Sequence, residues 1–265
     1  METTLGTVVI TGAAGRIGSV LRAGLRGEAE RLVLVDRVGL AAQSSTEDVR
    51  QVDLRDAEAL AAVMEGADAV VHLGGVADEA PLSELLDGNV MGTLNVLEAA
   101  RRHGVERVVL ASSNRLTGFY PVSTTVTADM PPRPDGLYGV SKVAVEALGR
   151  LYADKFGLPV VCLRIGSFED APSEQRHLAT WLSHRDCLGF VRAALTAPDI
   201  AFTSVYAVSA NKRRFWDIEG ASALGYTPID DAEAFASQLP EETDTAEHDV
   251  QGGAYANADF TLRHL

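Results

Sequence analysis

The feature that most constrains the fold of this chain is the alternation of short apolar runs with longer helical patterns. The apolar runs are predicted strands, at residues 7–11, 31–36, 69–73, 105–112, 159–165 and 200–207. Helical patterns lie between them, at residues 15–26, 56–64, 82–103, 138–156 and 182–195. Runs that are apolar at nearly every position predict strands buried on both faces, as in a parallel sheet. The alternation therefore predicts an α/β fold, a doubly wound parallel sheet with helices on both faces.

A glycine-rich turn follows the first predicted strand, with the sequence Thr11-Gly12-Ala13-Ala14-Gly15-Arg16-Ile17-Gly18. A helical pattern begins within it, so the unpaired N–H groups of a helix start face the turn. The Gly-x-x-Gly-x-x-Gly spacing, between a strand and a helix, predicts a site for the pyrophosphate of a dinucleotide. Glycines that serve helix packing alone are the alternative.

Asp36 ends the second predicted strand. A carboxylate at this place accepts hydrogen bonds from the adenosine ribose hydroxyls of a dinucleotide, and it repels a 2′-phosphate. The sequence therefore favours NAD over NADP. Arg16 and Arg37 are the residues that would hold the phosphate if NADP were the cofactor.

A tyrosine and a lysine stand four residues apart in Tyr138-Gly139-Val140-Ser141-Lys142, which places them on one face of a predicted helix. An ammonium group beside a phenol favours the phenolate, so we expect Lys142 to lower the pKa of Tyr138 from about 10. A tyrosine tuned in this way can remove the proton of a hydroxyl while hydride leaves the same carbon. Ser113 follows the fourth predicted strand, at the sheet edge where doubly wound folds bind ligands. Together the three residues predict an oxidoreductase site.

Composition narrows the classes of partner. The net charge of −14 argues against nucleic acid, because binding to phosphate backbones needs a basic surface. The two cysteines, Cys162 and Cys187, indicate a reducing compartment, and none of the six histidines has a metal-ligand spacing to either of them. No apolar stretch approaches the roughly 20 residues that span a bilayer, and the first residues lack the pattern of a signal peptide. We expect a cytoplasmic protein with no membrane partner and no metal.

Stretches spread over nearly the whole chain carry one family pattern: residues 11–18, 71–75, 88–92, 111–114, 134–142, 164–167, 180–184 and 251–253. On these stretches the chain resembles the extended-type short-chain dehydrogenase/reductase superfamily, and closely resembles its bacterial uronate dehydrogenases. The resemblance implies one domain over residues 1–265 with a Rossmann-type core. Residues 1–165 would mainly bind NAD, and residues 166–265 would mainly form a small C-terminal substrate-binding part and an arm. It further implies a homo-oligomer that oxidises D-glucuronate or D-galacturonate at the anomeric carbon to the aldarolactone.

The resemblance also gives each site residue a role. Tyr138 would be the general base, Lys142 would tune it and hold the nicotinamide ribose, and Ser113 would bind the reacting hydroxyl. The cofactor-binding residues that it implies are Gly12, Gly15, Arg16, Ile17, Gly18, Asp36, Asp53, Leu54, Leu73, Gly74, Gly75, Val76, Asn89, Tyr138, Lys142 and Ile165. The substrate-binding residues that it implies are Ser113, Asn114, Arg115, Ser167 and Arg176, with Arg176 forking onto the substrate carboxylate.

Two positions depart from the family pattern. Ala77 stands where the better-known members carry serine, and Arg115 stands where they carry histidine. Because Arg115 could bind a carboxylate or a phosphate, an aldose or sugar-phosphate 1-dehydrogenase stays open as an alternative. A sugar epimerase or dehydratase is disfavoured because few residues follow Ile165, and a non-catalytic NAD-sensing regulator because Tyr138, Lys142 and Ser113 are all present.

Overall fold

The computed structural model describes residues 5–240 and 249–265. Its strands are β1 (Leu5–Thr11), β2 (Ala29–Asp36), β3 (Glu47–Gln51), β4 (Ala69–His72), β5 (Arg107–Ser113), β6 (Val160–Ile165), β7 (Ser167–Phe168), β8 (Trp181–Leu182) and β9 (Phe202–Ala207). Seven of them form one parallel sheet in the order β3-β2-β1-β4-β5-β6-β9, and β7 pairs with β8. This confirms the doubly wound parallel sheet that the alternation predicts.

Helices cover both faces of the sheet. They are α1 (Arg16–Leu25), α2 (Ala57–Val63), α3 (Leu82–Leu85), α4 (Gly92–Arg102), α5 (Leu137–Phe156), α6 (His177–Thr180), α7 (His184–Thr196), α8 (Glu219–Ala223) and α9 (Ala258–Leu262). Along β1, Ile10 packs into one apolar cluster with Phe190 of α7, and its neighbour Val9 packs into another with Val96 of α4. Successive side chains of a strand point to opposite faces, so a sheet covered on both faces is apolar at consecutive positions.

Two of the differences from the sequence prediction concern strand β3 and the helix predicted after β4. Strand β3 was not predicted, because Glu47-Asp48-Val49-Arg50-Gln51 is polar; among the described strands it lies at the edge of the sheet and pairs with β2. The single helix predicted over residues 82–103 is interrupted by a π-helical segment at Leu86–Met91. Interruptions of this kind are common at functional sites.

The C-terminal arm, defined here as residues 249–265, returns to the sheet edge that carries the ends of the strands. The backbone N–H groups of Gln251 and Gly252 donate to the carbonyl oxygens of Tyr120 and Gly118. Residues 241–248 lie outside the described part, and the arm contains a 3₁₀ turn at Gly253–Ala256 and helix α9. The arm therefore contributes to the region where the strands end.

Both cysteines are buried, Cys162 in β6 and Cys187 in α7. Within the described residues, no helix is long and apolar enough to cross a membrane.

Candidate active site

A cleft of about 980 Å³ opens where the carboxyl ends of the strands meet. The strand order reverses between β1 and β4, so the chains that leave these two strands diverge and leave a crevice, the usual ligand site of doubly wound sheets. Every residue predicted for cofactor or substrate lines this cleft except Asn89. The structure thus brings together residues that are scattered from Gly12 to Arg176 in the sequence.

The glycine-rich turn forms one wall of the cleft. Gly12 has a φ angle of +68°, and a Cβ atom on it would lie 2.8 Å from the backbone nitrogen of Gly74. A Cβ atom on Gly18 would lie 2.4 Å from the carbonyl oxygen of Gly12. Helix α1 starts directly after Gly15 and has no side-chain cap at its N-terminus. A turn whose glycines let backbone segments approach closely, and that leads into an uncapped helix start, fits the pyrophosphate of a dinucleotide.

Asp36 lies at the end of β2, at one end of this wall. Its two carboxylate oxygens accept hydrogen bonds from the backbone N–H groups of Ala14, at 2.9 Å, and Val38, at 3.0 Å. These bonds fix the carboxylate between the glycine-rich turn and the loop after β2. It lines the cleft at the place where a ribose hydroxyl or a 2′-phosphate would lie.

Asp53 and Leu54 follow β3 at the same end of the cleft. Asp53 forms an ion pair with Arg55 at 2.7 Å, and the hydrogen bond from that arginine lowers the pKa of Asp53 to about 2. Leu54 lies so close to the loop after β4 that a Cβ atom on Gly74 would be 2.8 Å from its side chain. The pair supplies one charged and one apolar surface to the cleft.

Asn89 does not line the cleft but binds a residue that does. It is buried in the π-helical segment, where its amide accepts from the N–H of Val76 at 2.7 Å and donates to the carbonyl of Val76 at 3.1 Å. Its amide nitrogen also donates to the hydroxyl of Ser141 at 2.9 Å. Asn89 therefore holds the loop after β4 against helix α5, and its predicted contact with the cofactor stays a prediction.

Tyr138 lies in the first turn of α5, and Ser113 ends the neighbouring strand β5. Burial raises the pKa of Tyr138 to about 12, against the opposing effects of the Arg115 charge and a hydrogen bond from Ser113. The expectation that Lys142 lowers this pKa below its ordinary value is therefore wrong for this structure. The reason is that burial outweighs the nearby charges, of which Arg115 is the main one that favours the phenolate.

The ammonium of Lys142 lies beside the tyrosine ring, with Nζ 5.5 Å from the ring centroid of Tyr138. Nζ donates to the carbonyl oxygen of Ala111 at 2.9 Å. Burial lowers the pKa of Lys142 to about 8. Lysine and tyrosine thus share one buried region at the end of β5, as the helix spacing predicts.

Arg115 carries a positive charge that carboxylates already surround. Its guanidinium donates to Asp135 at 2.9 Å, to Glu79 at 2.9 Å and to Asp78 at 3.0 Å, and only 7% of its side chain is exposed. The ring of Tyr255, from the C-terminal arm, stacks on it with the centroid 4.4 Å from Cζ. Sequence reasoning missed these partners because they come from the loop after β4, the loop before α5 and the C-terminal arm, and carry no spacing motif.

Arg176 differs from Arg115 in that no carboxylate of the described residues pairs with it. Its Nε donates to the carbonyl oxygen of Gln251 at 3.0 Å, and its Cζ lies 5.5 Å from the ring centroid of Tyr255. Burial lowers the pKa of Arg176 from its ordinary value. Arg176 lines the cleft, and within the part of the chain that the structure describes its two terminal nitrogens have no hydrogen-bond partner.

The remaining predicted residues lie around the same opening. The hydroxyls of Ser167 and Thr180 form a hydrogen bond of 2.7 Å. The side-chain oxygen of Asn114 accepts a hydrogen bond from the hydroxyl of Ser113 at 3.4 Å. Arg16 bridges the cleft, because it donates to the carbonyl oxygen of Phe168 at 2.8 Å and forms an ion pair with Glu169. Phe168 and Glu169 line the cleft without having been predicted.

Residues 8–185 match the family model described as the NAD dependent epimerase/dehydratase family. The chain is 41% identical to the uronate dehydrogenase of Pseudomonas syringae pv. tomato, over 96% of this chain and 94% of that protein. It is 42% identical to the uronate dehydrogenase of Agrobacterium fabrum, over 89% of each. A solved structure of a uronate dehydrogenase mutant from Agrobacterium tumefaciens complexed with NAD has a TM-score of 0.92 and 40% identity, and the match covers 97% of this chain and 100% of that one.

Proposed function

The chain belongs to the NAD dependent epimerase/dehydratase family, and from this premise we propose that it is an NAD-dependent oxidoreductase that oxidises a uronate at its anomeric carbon. D-Glucuronate or D-galacturonate would be the substrate, and the aldarolactone would be the product. The observation that carries the substrate assignment is Arg176, a cation of the cleft that lacks a carboxylate partner among the described residues.

Three side chains would carry the chemistry. The hydroxyl of Ser113 hydrogen-bonds the anomeric hydroxyl of the sugar, and the phenolate of Tyr138 takes its proton as the C=O bond forms. Lys142 holds the nicotinamide ribose and keeps positive charge beside the phenolate. NAD, when bound, supplies the acceptor for the hydride that leaves the anomeric carbon.

Charge supports an acidic sugar as the substrate. The protein has a net charge of −14, and both NAD and a uronate are anions, so the site must supply positive charge locally. Arg115 is compensated by three carboxylates, whereas the fork of Arg176 is available to a carboxylate in the cleft.

The same geometry weighs against the alternatives. A phosphate at Arg115 would lie among the carboxylates of Asp78, Glu79 and Asp135, which repel it. A neutral aldose would form no ion pair with the fork of Arg176, whose terminal nitrogens have no hydrogen-bond partner among the described residues. A regulator that binds NAD without chemistry would not need Tyr138, Lys142 and Ser113 together.

An NADH-absorbance screen tests the proposal with glucuronate, galacturonate, arabinose, glucose and glucose 6-phosphate. We expect the wild type to prefer a uronate. Arg176→Ala should lower kcat/KM for that uronate, with a loss of about 2–5 kcal/mol in transition-state binding free energy, because a buried carboxylate loses its partner. Arg176→Lys is the matched control, since it keeps the charge but loses the fork, and it should retain part of the activity.

Neutral sugars provide the internal reference for Arg176→Ala. Their weak turnover should survive the substitution, because they make no ion pair with this residue. A wild-type preference for a neutral or phosphorylated sugar would refute the proposed substrate. An equal loss on charged and neutral sugars would make Arg176 a structural residue.

The location and assembly of the protein belong to the same proposal. We infer a cytoplasmic enzyme, which the two isolated, buried cysteines support. The homo-oligomer stays a prediction, which light scattering of the purified protein tests.

A further inference from the structure

The N-terminus of helix α5, which carries the candidate base, has no capping side chain at its N-cap residue, Gly136. The backbone N–H groups of Leu137 and Tyr138 donate instead to the carboxylate of Glu79, at 2.7 Å and 3.2 Å. The first N–H groups of a helix have no partner within the helix. Glu79, which lies in the loop after β4, therefore supplies the acceptors that this helix end needs.

The surroundings of Glu79 are built to hold this carboxylate. Its side chain is only 1% exposed, and a Cβ atom on Gly136 would lie 2.5 Å from its Oε2 atom. Arg115 donates to Oε2 at 2.9 Å, and the hydroxyl of Thr261 in the C-terminal arm donates to Oε1 at 3.4 Å. Both oxygens are thus acceptors, and each serves helix α5 and one further element.

We propose that Glu79 is a positioning residue for the oxidation, which fixes the Tyr138 hydroxyl relative to Ser113. Tyr138 is the second residue of α5, so any shift of the first turn moves its ring directly. On the other side, the backbone N–H of Arg115 donates to the hydroxyl of Ser113 at 3.2 Å, while its guanidinium binds Glu79. Glu79 therefore connects the element that carries the base to the element that holds the sugar hydroxyl. This proposal rests on the proposed role of Tyr138 as the base.

Glu79→Gln tests the proposal with little change of shape. Both oxygens of Glu79 face donors, so the amide nitrogen of a glutamine must face an N–H group, and the first turn of α5 must move. We expect kcat for the uronate to fall by about tenfold or more, because a misplaced catalytic group slows the chemical step. The Kd of NAD should change little, since the glycine-rich turn is not involved.

Two further variants keep this test independent of stability. Gly136→Ala keeps the charge of Glu79 but displaces the carboxylate, and it should lower kcat in the same way. Glu47→Gln is the matched control: Glu47 is also buried, binds Arg22 in a bidentate pair and accepts from the N–H of Gln43, but it lies on edge strand β3. It should lower the Tm without lowering kcat.

The pH profile of kcat/KM gives a readout that a loss of stability does not move. The charged groups around the Tyr138 ring are Arg115, Lys142, Asp78, Glu79 and Asp135. Glu79→Gln removes a negative charge, so the limb that reports the phenol should shift to lower pH. Arg115→Met removes a positive charge and should shift it to higher pH. Gly136→Ala keeps both charges and should shift it least.

The outcomes separate the two proposals. A Glu79→Gln enzyme with native kcat, or with a loss that Glu47→Gln matches and an unmoved pH limb, would overturn the positioning role. A wild-type enzyme that oxidises another sugar would overturn the proposed substrate only, and the same variants would then be compared on that sugar.

Discussion

At the scale of single residues, the contact between Tyr138 and Arg115 is central to the site: the guanidinium carbon lies 5.2 Å from the centre of the tyrosine ring. The sequence predicts Tyr138, Lys142 and Ser113 because a helix spacing and a strand end are local signals. It does not predict that Arg115 is enclosed by carboxylates, since Asp78 and Asp135 approach it only through the fold. The direction of the tyrosine pKa follows from burial, which no local spacing reports.

Tyr138→Phe removes the ionisable oxygen and keeps the ring. We expect turnover of the uronate to fall by about two orders of magnitude or more, in line with lost acid–base catalysis. In the wild type the pKa of Tyr138 is raised, so the phenolate forms only as the pH rises, and kcat/KM for oxidation should increase toward alkaline pH. Stopped-flow NADH absorbance across pH checks both points. If Tyr138→Phe had the same pH profile of kcat/KM as the wild type, Tyr138 would not be the base.

At the scale of elements, the π-helical segment at Leu86–Met91 shows what the periodicity leaves out. An apolar pattern predicts helix throughout residues 82–103, and the pattern is correct about the buried face. Asn89 lies within the interruption, and its amide forms hydrogen bonds to Val76 and Ser141, which are distant in the sequence. Edge strand β3 is not predicted for a related reason. It is held by backbone pairing with β2, which is distant in the sequence, and it lacks the apolar run that marks the central strands.

Asn89→Ala measures the contribution of this interruption. The substitution leaves the N–H and carbonyl groups of Val76 without their partner, so the free energy of unfolding should fall by about 1–3 kcal/mol. Urea unfolding gives this value. Asn95→Ala is the control, because the amide of Asn95 on α4 makes one hydrogen bond, to the carbonyl of Leu54. If the two variants lost equal stability, the bonds of Asn89 to Val76 would contribute no more to the stability of the protein than the single bond of Asn95.

The molecule as a whole carries titratable side chains within its core. His72, at the end of β4, is buried between the hydroxyls of Thr11 and Thr93. Burial, together with the charge of Lys142, lowers the pKa of His72 from 6.5 to about 3. Burial also lowers the pKa of His177. The folded protein therefore disfavours the protonated form of these rings relative to an unfolded chain.

The stability of the whole protein should fall as the medium becomes acidic. The unfolded state binds the His72 proton below pH 6.5 and the folded state does not, so this stabilisation is present above pH 6.5 and is lost progressively toward pH 3. Between pH 7 and pH 5 the loss from His72 amounts to about 2 kcal/mol. Urea unfolding at both pH values measures it. His72→Gln should reduce the difference, whereas a glutamine in place of the exposed His103 should leave it unchanged; a His72→Gln protein with the full difference would contradict this origin.

The burial of Cys162 and Cys187 has a consequence for labelling chemistry. Burial raises the pKa of the Cys187 thiol to about 12 and that of Cys162 well above its ordinary value. The thiolate is the form that attacks an alkylating reagent, so both native thiols are protected while the protein is folded. A cysteine introduced at the exposed Arg263, at the end of α9, would then be the single reactive thiol of the chain. A fluorophore attached there would follow the C-terminal arm over the cleft without any background from the core.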